Sequence, residues 1–295
     1  MGIKLNWVDQ SVQNLDAIEI YRSTSPIDSD NPGAPIATLP GTATSYDDTT
    51  VKNKNVYYYR VVAKKGTDRS WGPNQFTGYF AETGPGRPTP LRGDWKAALM
   101  DILAPADFIT NAALRAKVPA LAALTAGGEP SGWFKMFWKG KVFFVPNANL
   151  ITASWGQVYN AGLVYGVDGV GDRPAGIGAG TVNQKVTVDI GGRRYLIRCP
   201  KLSSLPETSF ATTQADTLGS EWRDTMARMV RETVDPQPGS LTRLYDNTSL
   251  PNFFGSHYTS AGNIIILTGT KPESYASIAG ATAASVGLVL ELIMP

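Results

Sequence analysis

Residues 131–146, SGWFKMFWKGKVFFVP, hold six aromatic residues and three lysines. A turn at Lys139-Gly140-Lys141 makes this stretch a hairpin with strands over 132–138 and 142–145. Strand alternation then puts Trp133, Lys135 and Phe137 on one face and Phe134, Met136 and Trp138 on the other. A fully buried sheet would not keep three lysines, and a sugar-binding platform seldom needs aliphatic partners on both faces. The favoured reading is a core hairpin whose lysine stems reach outward to water. An exposed aromatic patch that binds a ligand is the alternative.

The 295 residues suffice for two domains, and 42% hydrophobic with 18% charged residues is ordinary for a folded, soluble chain. Thirty glycines and twenty prolines point to many turns. A net charge of +2 argues for neither nucleic acid nor an acidic membrane as partner. Met1 leads into the alternating GIKLNWVD without the basic and apolar regions of a signal peptide, and SVGLVLELIMP is too short to span a bilayer. With Cys199 alone, an intrachain disulfide is excluded and a thiolate metal site is not expected, which fits assembly in a reducing cytoplasm.

The first eighty residues read as strands and turns. IKLNWVD puts Ile3, Leu5 and Trp7 on one face, AIEIYRST does so with Ile18 and Ile20, and NVYYYRVVAKKG separates Tyr57, Tyr59 and Val61 from Tyr58, Arg60 and Val62. With Trp7 on an early strand, YYYRVVA on a late one and TSYDDTTV as the corner between them, residues 3–80 resemble a fibronectin type III β-sandwich. The resemblance implies one more strand ahead of the Trp7 strand, for which this sequence leaves no room. The outer edge of the strand carrying Ile3, Leu5 and Trp7 is therefore expected to expose unpaired main-chain groups and to dock on another chain.

AETGPGRPTPLRGD reads as a linker, placing domains at 1–82 and 94–295 with 83–93 between them. Its Arg92-Gly93-Asp94 spells an integrin-binding tripeptide, but Asp94 reads better as the N-cap of a short helix, WKAALMDIL, with Trp95, Leu99 and Ile102 at helical spacing. TNAALRAKVPALAAL reads as two short helices broken at Pro119. QKVTVDIGG and RRYLIRCP form a hairpin across Gly191-Gly192, and GNIIILTG and VGLVLELI are dense apolar strands. SEWRDTMARMVRE reads as a helix over 220–232, capped by Ser220, with Trp222, Met226, Met229 and Val230 on its apolar stripe.

The order GWFKMFWKGKVFFVP, SWGQVYNAGLVYG, VNQKVTVDIGGRRYLIR, GSEWRDTM and LVLELI, over residues 88–295, resembles a domain of tailed-bacteriophage virion proteins of the structural and tail-fibre-like kind. Trp133, Lys135, Gly140, Lys141, Val145, Pro146, Trp155, Tyr165, Gly166, Tyr195, Arg198, Gly219, Ser220, Glu221, Trp222 and Glu291 match that pattern as they stand. Arg223 departs where Asn is expected, and GSHYTSAGNIIILTG replaces a Gly/Arg/Trp-rich stretch. The terminal layout is faintly similar to C-type-lectin-like domains of phage adhesins. The fold expected from this is mostly β: a fibronectin-III-like sandwich, then a larger β-rich α+β domain with a few short helices. The resemblance implies a non-catalytic virion component of tail, baseplate, collar or head surface, assembled in the host cytoplasm. It would be attached to other virion proteins as a homo-oligomer, a trimer among the options, or in symmetric copies.

The residues themselves offer little for catalysis. The sole histidine, His257, lies in FFGSHYTS without a nucleophile elbow. The carboxylates Glu221, Asp224, Asp168 and Asp172 are scattered rather than paired across a cleft. GVDGVGDRPAGIGAG, residues 166–180, has no Gly-Lys-Ser/Thr for phosphate, and Asp168 and Asp172 are too few oxygens for a calcium loop. It reads as a long flexible surface loop. No cofactor and no metal are expected, and Arg193, Arg194 and Arg198 make no basic stripe. Candidate contacts for a partner, or for a host receptor or glycan in the rival adhesin reading, are Asp168, Asp172 and Arg173 in loop 166–180. Asn252, Phe253, Phe254, His257 and Tyr258 in segment 246–262 complete the set. A polysaccharide depolymerase is the remote third reading.

Overall fold

Short alternating apolar runs build the first of two units, Met1–Ala81. A computed structural model describes residues 2–177, 180–203, 205, 217–229, 250–259, 261–267 and 275–294. In the first unit β1 (Ile3–Asn6) pairs antiparallel with β4 (Ser45–Asp48). The facing sheet runs β3 (Ala37–Pro40), β2 (Ala17–Ser23), β5 (Asn55–Lys65), and along one edge of β5 come β6 (Asp68–Trp71) and then β7 (Gln75–Tyr79). Alternation works as read: Ile3, Leu5, Ile18, Ile20, Tyr57 and Tyr59 close one core between the sheets, while Tyr21 and Val62 pack on the opposite face with Ile27. Each fully buried side chain of this size contributes about 1.5–3 kcal/mol.

The second unit, Glu82–Pro295, is built on a seven-stranded sheet. Its elements are β8 (Arg92–Gly93), β9 (Ala97–Leu103), α1 (Asn111–Lys117), α2 (Pro119–Ala122), β10 (Thr125–Ala126), β11 (Trp133–Trp138), β12 (Lys141–Pro146), β13 (Ile151–Ser154), α3 (Trp155–Asn160), β14 (Thr187–Ile190), β15 (Arg193–Arg198), α4 (Glu221–Asp224), β16 (Phe253–Tyr258), β17 (Ile264–Leu267), β18 (Tyr275–Ile278), β19 (Ala283–Val286) and β20 (Val289–Leu292). The large sheet is ordered β14-β15-β20-β12-β11-β9-β8, and β10-β13-β19 and β16-β17-β18 form two smaller sheets. The chain is mostly β, with antiparallel sheets and few short helices.

The hairpin of residues 131–146 sits at the middle of the large sheet. Trp138 pairs with Lys141 across Lys139-Gly140, both at positive φ (45° and 86°), the conformation a two-residue hairpin turn requires. Phe134, Met136, Phe143 and Val145 face a core completed by Trp222, Met226, Met229, Phe253 and Ile265. On the opposite face Phe108 stacks on Phe144 and meets Trp133 and Tyr195 edge-on. The hairpin is thus buried on both faces, and Lys135 does not reach out to water: it is 0% exposed.

Three further expectations change. Residues 97–103, read as a helix, form β9 between β8 and β11. Asp94 does accept main-chain amides, from Lys96 at 2.7 Å and Ala97 at 3.3 Å, but in the turn between β8 and β9. A short apolar run covered on both faces has no period that separates strand from helix, and pairing with β11 decides it. Residues 83–93, read as a linker, lie within the second unit, with Thr83 buried and Arg92-Gly93 paired to β9. The helix read over 220–232 is α4 followed by a separate 3-10 turn, Met226–Met229, because Thr225 leaves the helical region and turns its hydroxyl onto the Glu221 carbonyl. Val230 and the residues after it lie outside the described residues. By contrast, the break at Pro119, the Ser220 cap and the turn at Gly191-Gly192 stand as read.

Candidate functional site

Five of the residues that carry the resemblance, Lys135, Lys141, Arg198, Glu221 and Glu291, fall in two polar clusters. Arg198 on β15 is 1% exposed. Its guanidinium grips Glu221 in α4 with two hydrogen bonds (2.8 and 2.6 Å), donates to Glu291 on β20 (2.8 Å), and donates to the Cys199 carbonyl. Glu291 also takes a 2.8 Å bond from Lys141. Burial alone would raise the Glu291 pKa, but Arg198 and Lys141 outweigh it and hold the carboxylate below its usual range. Every arm of the guanidinium is engaged, so the cluster has the geometry of a brace.

Lys135 heads the second cluster. Its ammonium donates to Thr83 Oγ1 (3.1 Å), the Gly84 carbonyl (3.4 Å) and the Arg87 carbonyl (2.7 Å). Segment 83–87 is thereby laid on the sheet, helped by Arg87 N on Asp101 and by Arg193 on Glu82. Burial pulls the Lys135 pKa down to about 8, against the raising effect of Asp101 and Glu82. The Tyr195 hydroxyl, buried nearby, makes no hydrogen bond, and burial pushes its pKa up to about 12.

Of the expected contact residues, Asp168 and Asp172 are exposed, and Arg173, Asn252 and Tyr258 are half-buried. Phe253, Phe254 and His257 are buried (0%, 0% and 2% exposed), so as contact residues they are corrected here: β16 turns them into the core against β17, not toward a partner. The two segments approach each other at Gly262 and Pro174. Nor is the described part of loop 166–180 loose. Tyr159 and Tyr165 donate to the carbonyls of Val170 and Asp172, and buried Gln184 bridges Tyr159 O, Val182 O and Val164 N.

Asp168 is committed to Asn183 and Lys185, and Asp172 Oδ1 caps the amide of Arg173. Among the described residues no three His, Cys, Asp or Glu side chains gather as a metal site would require. His257 meets Ser256 Oγ at 3.3 Å and the Leu205 carbonyl at 3.1 Å, and burial lowers its pKa. The Arg92-Gly93-Asp94 tripeptide is exposed but stapled into the β8–β9 turn. No helix among the described residues is long and apolar enough to cross a membrane.

On β1, Ile3 and Leu5 point into the core and Trp7 is half-buried, its indole donating to the Ala43 carbonyl at 2.7 Å. Trp7 N bonds Thr44 O, and the register continues through Leu5↔Tyr46 and Ile3↔Asp48. In an antiparallel ladder the intervening residues, Lys4 and Asn6, must then turn their N–H and C=O away from β4. No described strand pairs with that edge. The sequence reading named the strand but not these two residues, although alternation around Ile3 and Leu5 already marks them. It also missed the Arg198 brace, whose signal is charge inside dense apolar strands, as in YLIRCP and LVLELI.

No family model, no curated protein and no solved structure matches the chain.

Proposed function

We propose that this chain is a non-catalytic structural component of a tailed-phage virion, joined to neighbouring proteins of the tail, baseplate, collar or head surface and present in symmetric copies. One observation carries the reading. Arg198, Glu221 and Glu291 are far apart in sequence, each belongs to the set that resembles phage virion proteins, and they meet in one buried brace. Trp133, Trp155, Tyr195 and Trp222, of the same set, are core residues as well. A shared pattern spent on holding a fold together is what a scaffold keeps, whereas an enzyme's shared pattern includes reactive groups at a surface.

The first unit fits a fibronectin-III-like sandwich, with a β4-β1 sheet facing β3-β2-β5 and the β6/β7 edge. The host-receptor reading is carried by Asp168, Asp172, Arg173, Asn252 and Tyr258, which are exposed or half-buried. Mass spectrometry of washed particles from the phage that encodes the chain tests the proposal. The chain is expected in the particle at a fixed multiple of a known tail or head protein; its absence would refute the reading. Binding of the purified chain to host cells would favour the receptor alternative.

A further inference from the structure

Prolines decide how the chain can be held where the second unit begins. Pro85, Pro88 and Pro90 have no N–H to give to a ladder. Among the described residues, no hydrogen bond between main-chain groups involves residues 82–90. Segment 82–87 nevertheless lies close on the large sheet, because glycine lets it. A Cβ on Gly84 would stand 3.0 Å from Phe144 Cζ, and one on Gly86 would stand 2.5 Å from Asp101 Oδ2. Side chains do the fastening: Lys135 on Thr83, Gly84 and Arg87, Asp101 on the Arg87 amide, and Arg193 on Glu82.

Two groups beneath this segment are covered at a cost. The Lys135 ammonium is shut away from water, and burial and Arg193 lower its pKa against the raising effect of Asp101 and Glu82. The Tyr195 hydroxyl stands 3.4 Å from where a Gly84 Cβ would be; its residue is 0% exposed, and the hydroxyl has no hydrogen-bond partner. Water reaching the two groups would relieve both costs. The strand below is held differently, since β11 pairs along its length with β9 on one side and β12 on the other.

We propose that segment 82–87 is a detachable strap, which lifts from the large sheet while the ladder beneath stays intact and so gives Lys135 and Tyr195 to water. Lifting frees the six residues Glu82–Arg87, the run of chain directly after Ala81, where the first unit ends. The sign of the pH response follows from the buried ammonium. Opening returns Lys135 toward its ordinary pKa, so the open form binds a proton that the closed form holds less firmly. Closure therefore strengthens as pH rises from about 8 toward 10. The charged and titratable groups around Lys135 are Asp101 on β9, Glu82 and Arg87 in the strap, and Arg193 and Tyr195 on β15. The inference stands on these contacts and does not depend on the virion reading.

The test is pulsed amide hydrogen exchange on the full chain, with protection corrected for the intrinsic pH dependence of exchange. The reporter is the Arg87 amide, which bonds Asp101 only while the strap is down. It should open at least about a hundredfold more often than the amides of β11. Its protection should rise about tenfold between about pH 8 and pH 10, and Lys135→Met should flatten that rise. Tyr195→Phe removes the unpartnered hydroxyl and should raise Arg87 protection about threefold. Four results would each overturn the proposal: Arg87 exchanging only together with β11, protection that stays level or falls with pH, a rise that survives in a folded Lys135→Met chain, or no gain in Tyr195→Phe. If Lys135→Met does not fold, the unaltered chain and Tyr195→Phe decide.

Discussion

Three buried charges illustrate what this chain asks of single residues. Arg198 and Lys141 balance Glu221 and Glu291, and Arg198 and Glu221 are fully buried, so removing Glu221 leaves a positive charge without its counterpart. Glu221→Gln should cost about 3–5 kcal/mol, read from denaturant unfolding. Arg198→Met combined with Glu221→Met should cost well below the sum of the single changes, since the pair leaves no orphan. In the first unit, Asp48 is fully buried and accepts from Tyr59 (2.7 Å), Arg22 (2.8 Å) and Thr50. Burial raises its pKa, but these donors outweigh it and the net shift is downward. A lowered carboxylate stabilises the fold above its unfolded pKa, and that stability is lost as pH falls through the folded value. Asp48→Asn should therefore cost about 1.5–3 kcal/mol at neutral pH and little in strong acid. Lys135 gives the same sign in a more alkaline window. With a folded pKa of about 8, below its unfolded value, the unfolded chain holds the proton more firmly as pH rises from 8. The stability of the wild-type chain relative to Lys135→Met should then increase between about pH 8 and pH 10, as followed by melting at several pH values.

At the scale of elements, the segment 220–229 is an anchor. Ser220 accepts from Arg223 N, Glu221 reaches Arg198, and Trp222, 1% exposed, meets Phe253 edge-on in the core below the large sheet. Trp222→Ala should lower stability by about 3–5 kcal/mol, visible as a reduced melting temperature. An unchanged melting curve would contradict its place in the core. This anchor was legible in the sequence because a cap and an apolar stripe are local signals, and so were the hairpins at Lys139-Gly140 and Gly191-Gly192. The strand at 97–103 was not, since its longest pairing is with β11, thirty or more residues away, and an apolar run alone fits helix or strand. Lys135 was misread for a related reason. A lysine among aromatic residues is expected to snorkel, and only the carbonyls of segment 83–87, far off in sequence, make burial tolerable. Burial of Phe253, Phe254 and His257 was equally hidden, because aromatics beside turn residues look the same whether a neighbouring strand covers them or not.

For the whole molecule, the two units have separate cores, one closed around Ile20 and Tyr59 and the other around Met136 and Trp222. Substitutions should therefore act locally. In calorimetry Asp48→Asn should shift one transition and Trp222→Ala another, whereas a common shift by both would show a single cooperative block. The first unit has a β1 edge that no described strand pairs, and the second is braced from within. The most direct measurement is an image reconstruction of the particle from the phage that encodes the chain. The account predicts density for the chain at symmetric, repeated positions, in contact with neighbouring virion proteins. A particle with no such density, or with the chain cleaving a host polysaccharide in solution instead, would contradict it.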